Sequence, residues 1–188
     1  MQILDVVNNV NIYGLENSVK ASKYPMSVDV NRCTDDITPT VNKLASAAAG
    51  SGHDQFLTGI VVQFDLTFTI KAWTEMQRYH FMDFVSSQST MHRAAKFDPQ
   101  SQCNEWVTEN TINETKRLVE RYNESQSAED YLTLLYNLPA GFRLTARMTT
   151  NYRQLKTIYH QRKNHKLPEW RVFCKWIESL PHSEFITG

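Results

Sequence analysis

Two groups of residues in this sequence have the chemistry to hold an anion. The first is Arg78-Tyr79-His80, followed by the hydroxyl- and amide-rich run Ser86-Ser87-Gln88-Ser89-Thr90 and then His92-Arg93. Arginine forks pair with phosphate oxygens, and neighbouring hydroxyls satisfy the remaining acceptors, so this set suits a phosphate or diphosphate. The competing reading is a solvated helix end whose basic residues complement the helix dipole. The second group is Asn151-Tyr152-Arg153 with Arg162 and His165. Arg153 and Arg162 lie nine residues apart and so point roughly 180° apart on a straight helix, which serves two adjoining ligands or two subunits rather than one site. An exposed basic helix is the plain alternative. His53, in the loop Gly50-Ser51-Gly52-His53, is a third candidate, either a ligand contact or a surface residue. No histidine pair flanks a glutamate at metal-binding spacing, and no Walker A loop, G-x-G-x-x-G or G-x-S-x-G is present. No metal site is expected.

The elements that must carry these residues follow from periodicity. Residues 59–70 alternate strictly, with Ile60, Val62, Phe64, Leu66 and Phe68 on one face and Val61, Gln63, Asp65, Thr67 and Thr69 on the other, the pattern of an antiparallel strand packed on one side. Ahead of it, residues 3–13 read as a strand or hairpin, residues 15–22 as a short helix, and residues 38–49 as a helix with Pro39 at its first position and Gly50 at its end. After it, a helix carries Trp73 through His80, and residues 86–90 form a polar loop. Helices are expected at 104–125, with Trp106, Ile112, Val119 and Tyr122 as its apolar stripe, and at 128–137. A strand at 142–149 and helices at 151–160 and 169–179 complete the chain. The fold class is α+β, an antiparallel sheet packed with several helices, in a single domain spanning 1–188.

Composition narrows the functions open to it. Twenty Lys+Arg balance twenty Asp+Glu, so long-range attraction to nucleic acid or an anionic membrane is not expected and any anion must be met by a local cluster. No apolar run approaches the roughly 20 residues of a bilayer span. Met1-Gln2-Ile3-Leu4-Asp5 does not read as a signal peptide, so a cytoplasmic location is expected. The three scattered cysteines, Cys33, Cys103 and Cys174, fit neither a disulfide framework nor a zinc site.

Taken in order from about Leu15 to Leu180, several short pieces resemble the flavin-dependent thymidylate synthases. They are Ser18-Val19-Lys20-Ala21, Gly50-Ser51-Gly52-His53, Ile60-Val61-Val62-Gln63-Phe64, the helix from Trp73 to Arg78, the loop Gln88-Ser89-Thr90, Asn151-Tyr152-Arg153, and Arg162. The resemblance implies that family's fold, resembling the thymidylate-synthase-complementing proteins. It also implies a homotetramer that binds FAD and dUMP in sites shared between subunits, with methylenetetrahydrofolate as one-carbon donor and NADPH as hydride source, a methyltransferase of nucleotide biosynthesis. Carried over by position, His53, Arg78, Tyr79, His80, Asn151 and Arg153 would bind the flavin nucleotide. Glu75, Ser87, Gln88, Ser89 and Arg93 would bind the pyrimidine nucleotide. Arg162 would bind the same substrate and polarise its ring where negative charge develops.

The sequence departs from the family's R-H-R-x-x-S signature, which here reads Arg78-Tyr79-His80-Phe81-Met82-Asp83. With one inserted residue in the following loop, the family's glutamate falls on Ser87 and its phosphate-binding arginine on Met91. Glu75 stands where a glutamine is common and Leu135 where another arginine is expected. Each lost arginine removes charge-assisted bonds of about 1.5–3 kcal/mol, for which Arg93 or His92 are the nearest replacements. Three functions follow from this divergent active site: methyl or hydroxymethyl transfer to C5 of a dUMP- or dCMP-like nucleotide; FAD or nucleotide binding without that chemistry, as a regulator or sponge; or an interaction protein keeping only the fold.

Overall fold

The computed structural model describes residues 1–48 and 50–188. Along the chain come β1 (Val7–Tyr13), α1 (Leu15–Ala21), α2 (Pro39–Ala45), β2 (Val61–Thr69), α3 (Ile70–Met76), β3 (Asp83–Ser87), α4 (Thr90–Arg93) and α5 (Pro99–Gln102). They are followed by α6 (Glu109–Ser125), α7 (Ala128–Tyr136), β4 (Arg143–Asn151), α8 (Tyr152–Arg162), α9 (Pro168–Glu178) and α10 (Glu184–Thr187). The architecture is α+β, and the alternating segment at 59–70 supplies strand β2 of its sheet. The four strands form one antiparallel sheet in the order β1-β2-β4-β3. β1 pairs with β2 in the register Val7 to Leu66 and Ile12 to Val62, with an irregularity between Asn8 and Asn11 where Asn9 takes φ 51°.

The chain forms two compact units, Met1–Leu66 with Tyr79–Val85 and Arg147–Gly188, and Thr67–Arg78 with Ser86–Ala146. In the first, Val62, Phe64 and Leu66 of β2 are fully buried. Phe64 packs on Trp176 and Phe173 of α9, with ring centroids 4.6 and 5.8 Å away. Leu155 and Ile158 of α8 and Trp170 and Ile177 of α9 are also completely shielded from solvent. The second unit has two apolar clusters. Ala94, Ala95, Leu118 and Leu134 form one, with Val119, Tyr122 and Tyr131 against it, and Cys103, Ile112 and Phe142 form the other.

Several element boundaries differ from the sequence expectation, each for a local reason. α2 ends at Ala45 rather than at 49, because the carbonyls of Ala45 and Ala47 are taken by the Lys156 ammonium, at 2.6 and 2.8 Å. Ala49 itself lies outside the described residues. α3 ends at Met76, so Arg78, Tyr79 and His80 are not a helical turn. The chain turns there through Phe81 at φ 60°, a conformation costly for an aromatic residue. The Phe81 carbonyl is held by the Thr150 hydroxyl at 2.7 Å. Ser86 and Ser87 belong to β3 rather than to a loop, and Gln88 continues the ladder with a backbone bond to the Thr145 carbonyl at 2.9 Å. α6 begins only at Glu109, capped by Thr108. Trp106 precedes it in a turn built on the Asn104 side chain and is 73% exposed, so it is not part of the helix's apolar stripe.

Candidate ligand cavity and the placement of the predicted residues

α8 starts where β4 ends, and the residue at that junction does both jobs. Asn151 is the last residue of β4 and the N-cap of α8, its side-chain oxygen accepting from the Gln154 backbone N–H at 2.9 Å. This fixes the first turn of α8, which carries Arg153. Beside it lies a cavity of about 740 Å³ within the first unit, lined by Asn151, Arg153, Gln154, Lys156, His160 and Asp54 among others. Its size falls in the roughly 300–1,000 Å³ range of small-molecule sites.

The cavity's charged wall is organised around one carboxylate. Asp54, immediately after His53, is only 2% exposed. Its Oδ1 accepts from Arg153 Nε at 3.1 Å and its Oδ2 from Lys156 Nζ at 3.3 Å. Arg153 Nη1 donates to the Gln55 side chain at 2.8 Å. The second terminal nitrogen of Arg153 has no protein partner among the described residues, and its side chain is 33% exposed. A guanidinium oriented through two of its nitrogens with the third in reserve can dock an anion without first losing much freedom. His160, one turn beyond Lys156, also lines the cavity. Burial pushes its imidazole below the ordinary range, and Lys163 and Lys156 act in the same direction, so it faces the cavity neutral near pH 7.

His53 is exposed and is not among the cavity-lining residues; its backbone N–H bonds to Ser51 Oγ at 3.4 Å. Arg162 takes a different position from the cavity arginine. Its Nε donates to the Tyr79 hydroxyl at 2.7 Å, and that hydroxyl donates to the Gln161 side chain at 2.9 Å. The Arg162 guanidinium also lies over the Tyr79 and Trp170 rings, 5.4 and 4.9 Å from their centroids, an aromatic bracket for a cation. His80 is exposed.

The remaining candidates belong to the second unit. Glu75 pairs with Lys71 of the same helix at 3.7 Å. Ser87 ends β3, Gln88 exchanges bonds with the Thr145 backbone, and Ser89 precedes α4 with its carbonyl bonded to the Arg93 N–H at 3.0 Å. The side chains of Arg78 and Arg93 are exposed and have no hydrogen-bond or ion-pair partner among the described residues. Cys103 and Cys174 are buried, and burial raises both thiols, Cys174 to about 12, so neither supplies a thiolate. Among the described residues no group of histidines, cysteines and carboxylates could hold a metal, and no helix is long and apolar enough to cross a membrane.

Sequence reasoning missed Asp54, Gln55, Lys156 and His160. A signal existed for Lys156, which interrupts the buried run Leu155, Ile158 and Tyr159 on one face of α8. A lysine on the inward face of a helix needs acceptors, and here it has three.

The fold and cavity thus define an α+β protein with a cation-bearing, small-molecule-sized recess at the start of a helix. Two solved structures of flavin-dependent thymidylate synthase from Helicobacter pylori, each with FAD and dUMP, have the same fold. One superposes with a TM-score of 0.75 at 14% identity and the other with 0.71 at 15%, in both cases over 96% of this chain and 98% of that chain. At such identities the likeness is one of fold. No protein-family model matches the sequence, and no curated protein does.

Proposed function

We propose that this chain is a flavoprotein of the thymidylate synthase kind that binds FAD and a pyrimidine deoxynucleotide and transfers a methyl or hydroxymethyl group to C5 of a dUMP- or dCMP-like substrate. The observation that carries this reading is the cavity at the start of α8. There Asn151 and Arg153 retain the identities the resemblance assigns to flavin binding, and Arg153 keeps one guanidinium nitrogen for a ligand. FAD, when bound, supplies hydride chemistry; the protein supplies position and charge. Arg153 would meet the FAD diphosphate, Asn151 would set the helix turn that aims it, and the neutral His160 ring would offer a flat, uncharged surface. His53, Arg78, Tyr79 and His80 are the further flavin contacts, and Glu75, Ser87, Gln88, Ser89 and Arg93 those of the nucleotide. The assembly is a homotetramer whose sites draw on more than one chain, with NADPH and methylenetetrahydrofolate as co-substrates and no nucleic acid or membrane partner.

A specific observation favours a second reading, a nucleotide binder without transferase chemistry. Arg162, the residue assigned to ring polarisation, already donates to Tyr79 and lies over the Tyr79 and Trp170 rings. A cation so engaged has less to give a developing anion. The two readings separate cleanly. Purified protein should be yellow or show an FAD-induced rise in thermal midpoint; a colourless protein that FAD does not stabilise overturns the transferase and the flavin-binding form of the second reading. If FAD binds, release of deuterium from C5-labelled dUMP or dCMP in the presence of NADPH and methylenetetrahydrofolate supports the transferase, and retention of the label supports the binder.

A further inference from the structure

Arg153 is paired with a buried carboxylate, and a simple Arg–Asp pair presents almost no net charge to an approaching anion. The cavity would then be a poor diphosphate site despite its arginine. Lys156 changes this balance. It is 7% exposed, and its ammonium donates to Asp54 Oδ2 and to the carbonyls of Ala45 and Ala47. Two cationic side chains therefore share one carboxylate, and with His160 held neutral the ionisable side chains lining the cavity carry a net positive charge. The arrangement also divides the labour. Asp54 fixes Arg153 through Nε, Lys156 occupies the other carboxylate oxygen, and the two carbonyls hold Lys156 in place beside Asp54.

We propose that Lys156 and Asp54 are positioning residues for anion recognition at this cavity, with Lys156 offsetting the Asp54 charge so that Arg153 remains an effective cation toward a ligand diphosphate. This rests on the reading of the cavity as an FAD site. It adds a function for a buried lysine whose ammonium is engaged by Asp54 and by the carbonyls of Ala45 and Ala47.

The test compares FAD binding by the native chain, Lys156→Met and Lys156→Arg, each checked for cooperative thermal unfolding, with Lys156→Gln replacing the methionine variant should that one not fold. Removing the charge is expected to weaken FAD binding about tenfold, the size of one partly screened charge–charge interaction. It should also make the affinity less sensitive to salt between about 0.01 and 1 M, where the Debye length shrinks from roughly 30 to 3 Å. Lys156→Arg, which keeps the charge, is expected to stay within about threefold of native, well below the factor of ten that 1.4 kcal/mol represents. A folded, uncharged variant with native affinity and native salt dependence overturns the inference and leaves the FAD reading standing, as does an arginine variant as weak as the methionine one. Failure of the native chain to bind FAD overturns both.

Discussion

The hydroxyl of Tyr79 is the most consequential single group outside the cavity. It accepts from Arg162 and donates to Gln161, while its ring and that of Trp170 flank the same guanidinium. Tyr79→Phe keeps the ring and removes both bonds, leaving the half-buried Arg162 Nε with one partner fewer. The expected loss is about 1–2 kcal/mol of stability, read as a lower thermal midpoint. If Arg162 contributes to catalysis, the same variant should lower kcat for C5 deuterium release, and FAD affinity should fall with it, because Tyr79 is a proposed flavin contact whose hydroxyl bonds the cavity-lining Gln161. A variant with native stability would show that the hydroxyl's bonds are replaced by water at no cost. In the cavity, Arg153→Ala is expected to weaken FAD binding by at least tenfold, since it removes the only guanidinium lining it among the described residues; unchanged affinity would move the flavin elsewhere. These residues differ in how visible they are in the sequence. Asn151 and Arg153 stand two apart and could be seen as a motif. Asp54 and Lys156 are 102 positions apart; Lys156 stands out only as a charge on an apolar helix face, and Asp54 looks like an ordinary surface charge until the fold brings the two together.

At the scale of elements, β2 was readable because one face of it alternates without exception and every one of its inward residues is buried. The helix ends were harder, because they depend on partners distant in sequence: Lys156 stops α2, and Thr150 holds the turn that follows α3. Spacing alone places Trp106 in an apolar stripe, but the Thr108 cap starts α6 after it. The hairpin of α6 and α7 makes a prediction of its own. Asp130, near the start of α7, accepts from the Ser125 hydroxyl and donates its backbone N–H to Ser127 Oγ, and Arg121 of α6 lies 2.6 Å from its Oδ1. The Ser125 hydroxyl above all, then Ser127 and Arg121, hold its carboxyl below the ordinary 3.8. A carboxylate whose folded pKa is lowered contributes stability that is complete above its unfolded value and is lost as pH falls through the folded one. The thermal midpoint of the native chain should therefore drop on acidification below about pH 4, and Asp130→Asn should start lower at neutral pH and show a shallower acid dependence. Equal acid slopes in the two proteins would remove Asp130 as a contributor.

On the scale of the whole molecule, the sequence's equal numbers of positive and negative side chains first suggested only that no anion is drawn in from a distance. The structure gives that balance a local meaning: two cations on one carboxylate at the cavity of the first unit, and in the second the exposed Arg78 and Arg93, whose side chains have no partner among the described residues. Such cations suit sites completed by another copy of the chain, which is the reason the proposed homotetramer matters to function. The sheet offers a place to test it. β3 is an edge strand, exposed along its whole length, and it carries Phe84 and Val85 at 45% and 57% exposure, with Phe81 at 69% just before it. Monomeric proteins blunt such edges with charge, proline or a covering element, because bare apolar edges pair with other chains. If this strand is covered in the assembly, sedimentation of the native protein should give a species roughly four times the 21.8 kDa chain. Val85→Lys, placed on a strand that is already solvent-facing in the single chain, should leave the fold's thermal midpoint within about 0.5 kcal/mol equivalent and yet dissociate the species. A native monomer would refute the tetramer, and an intact tetramer in the Val85→Lys variant would place its interface away from β3.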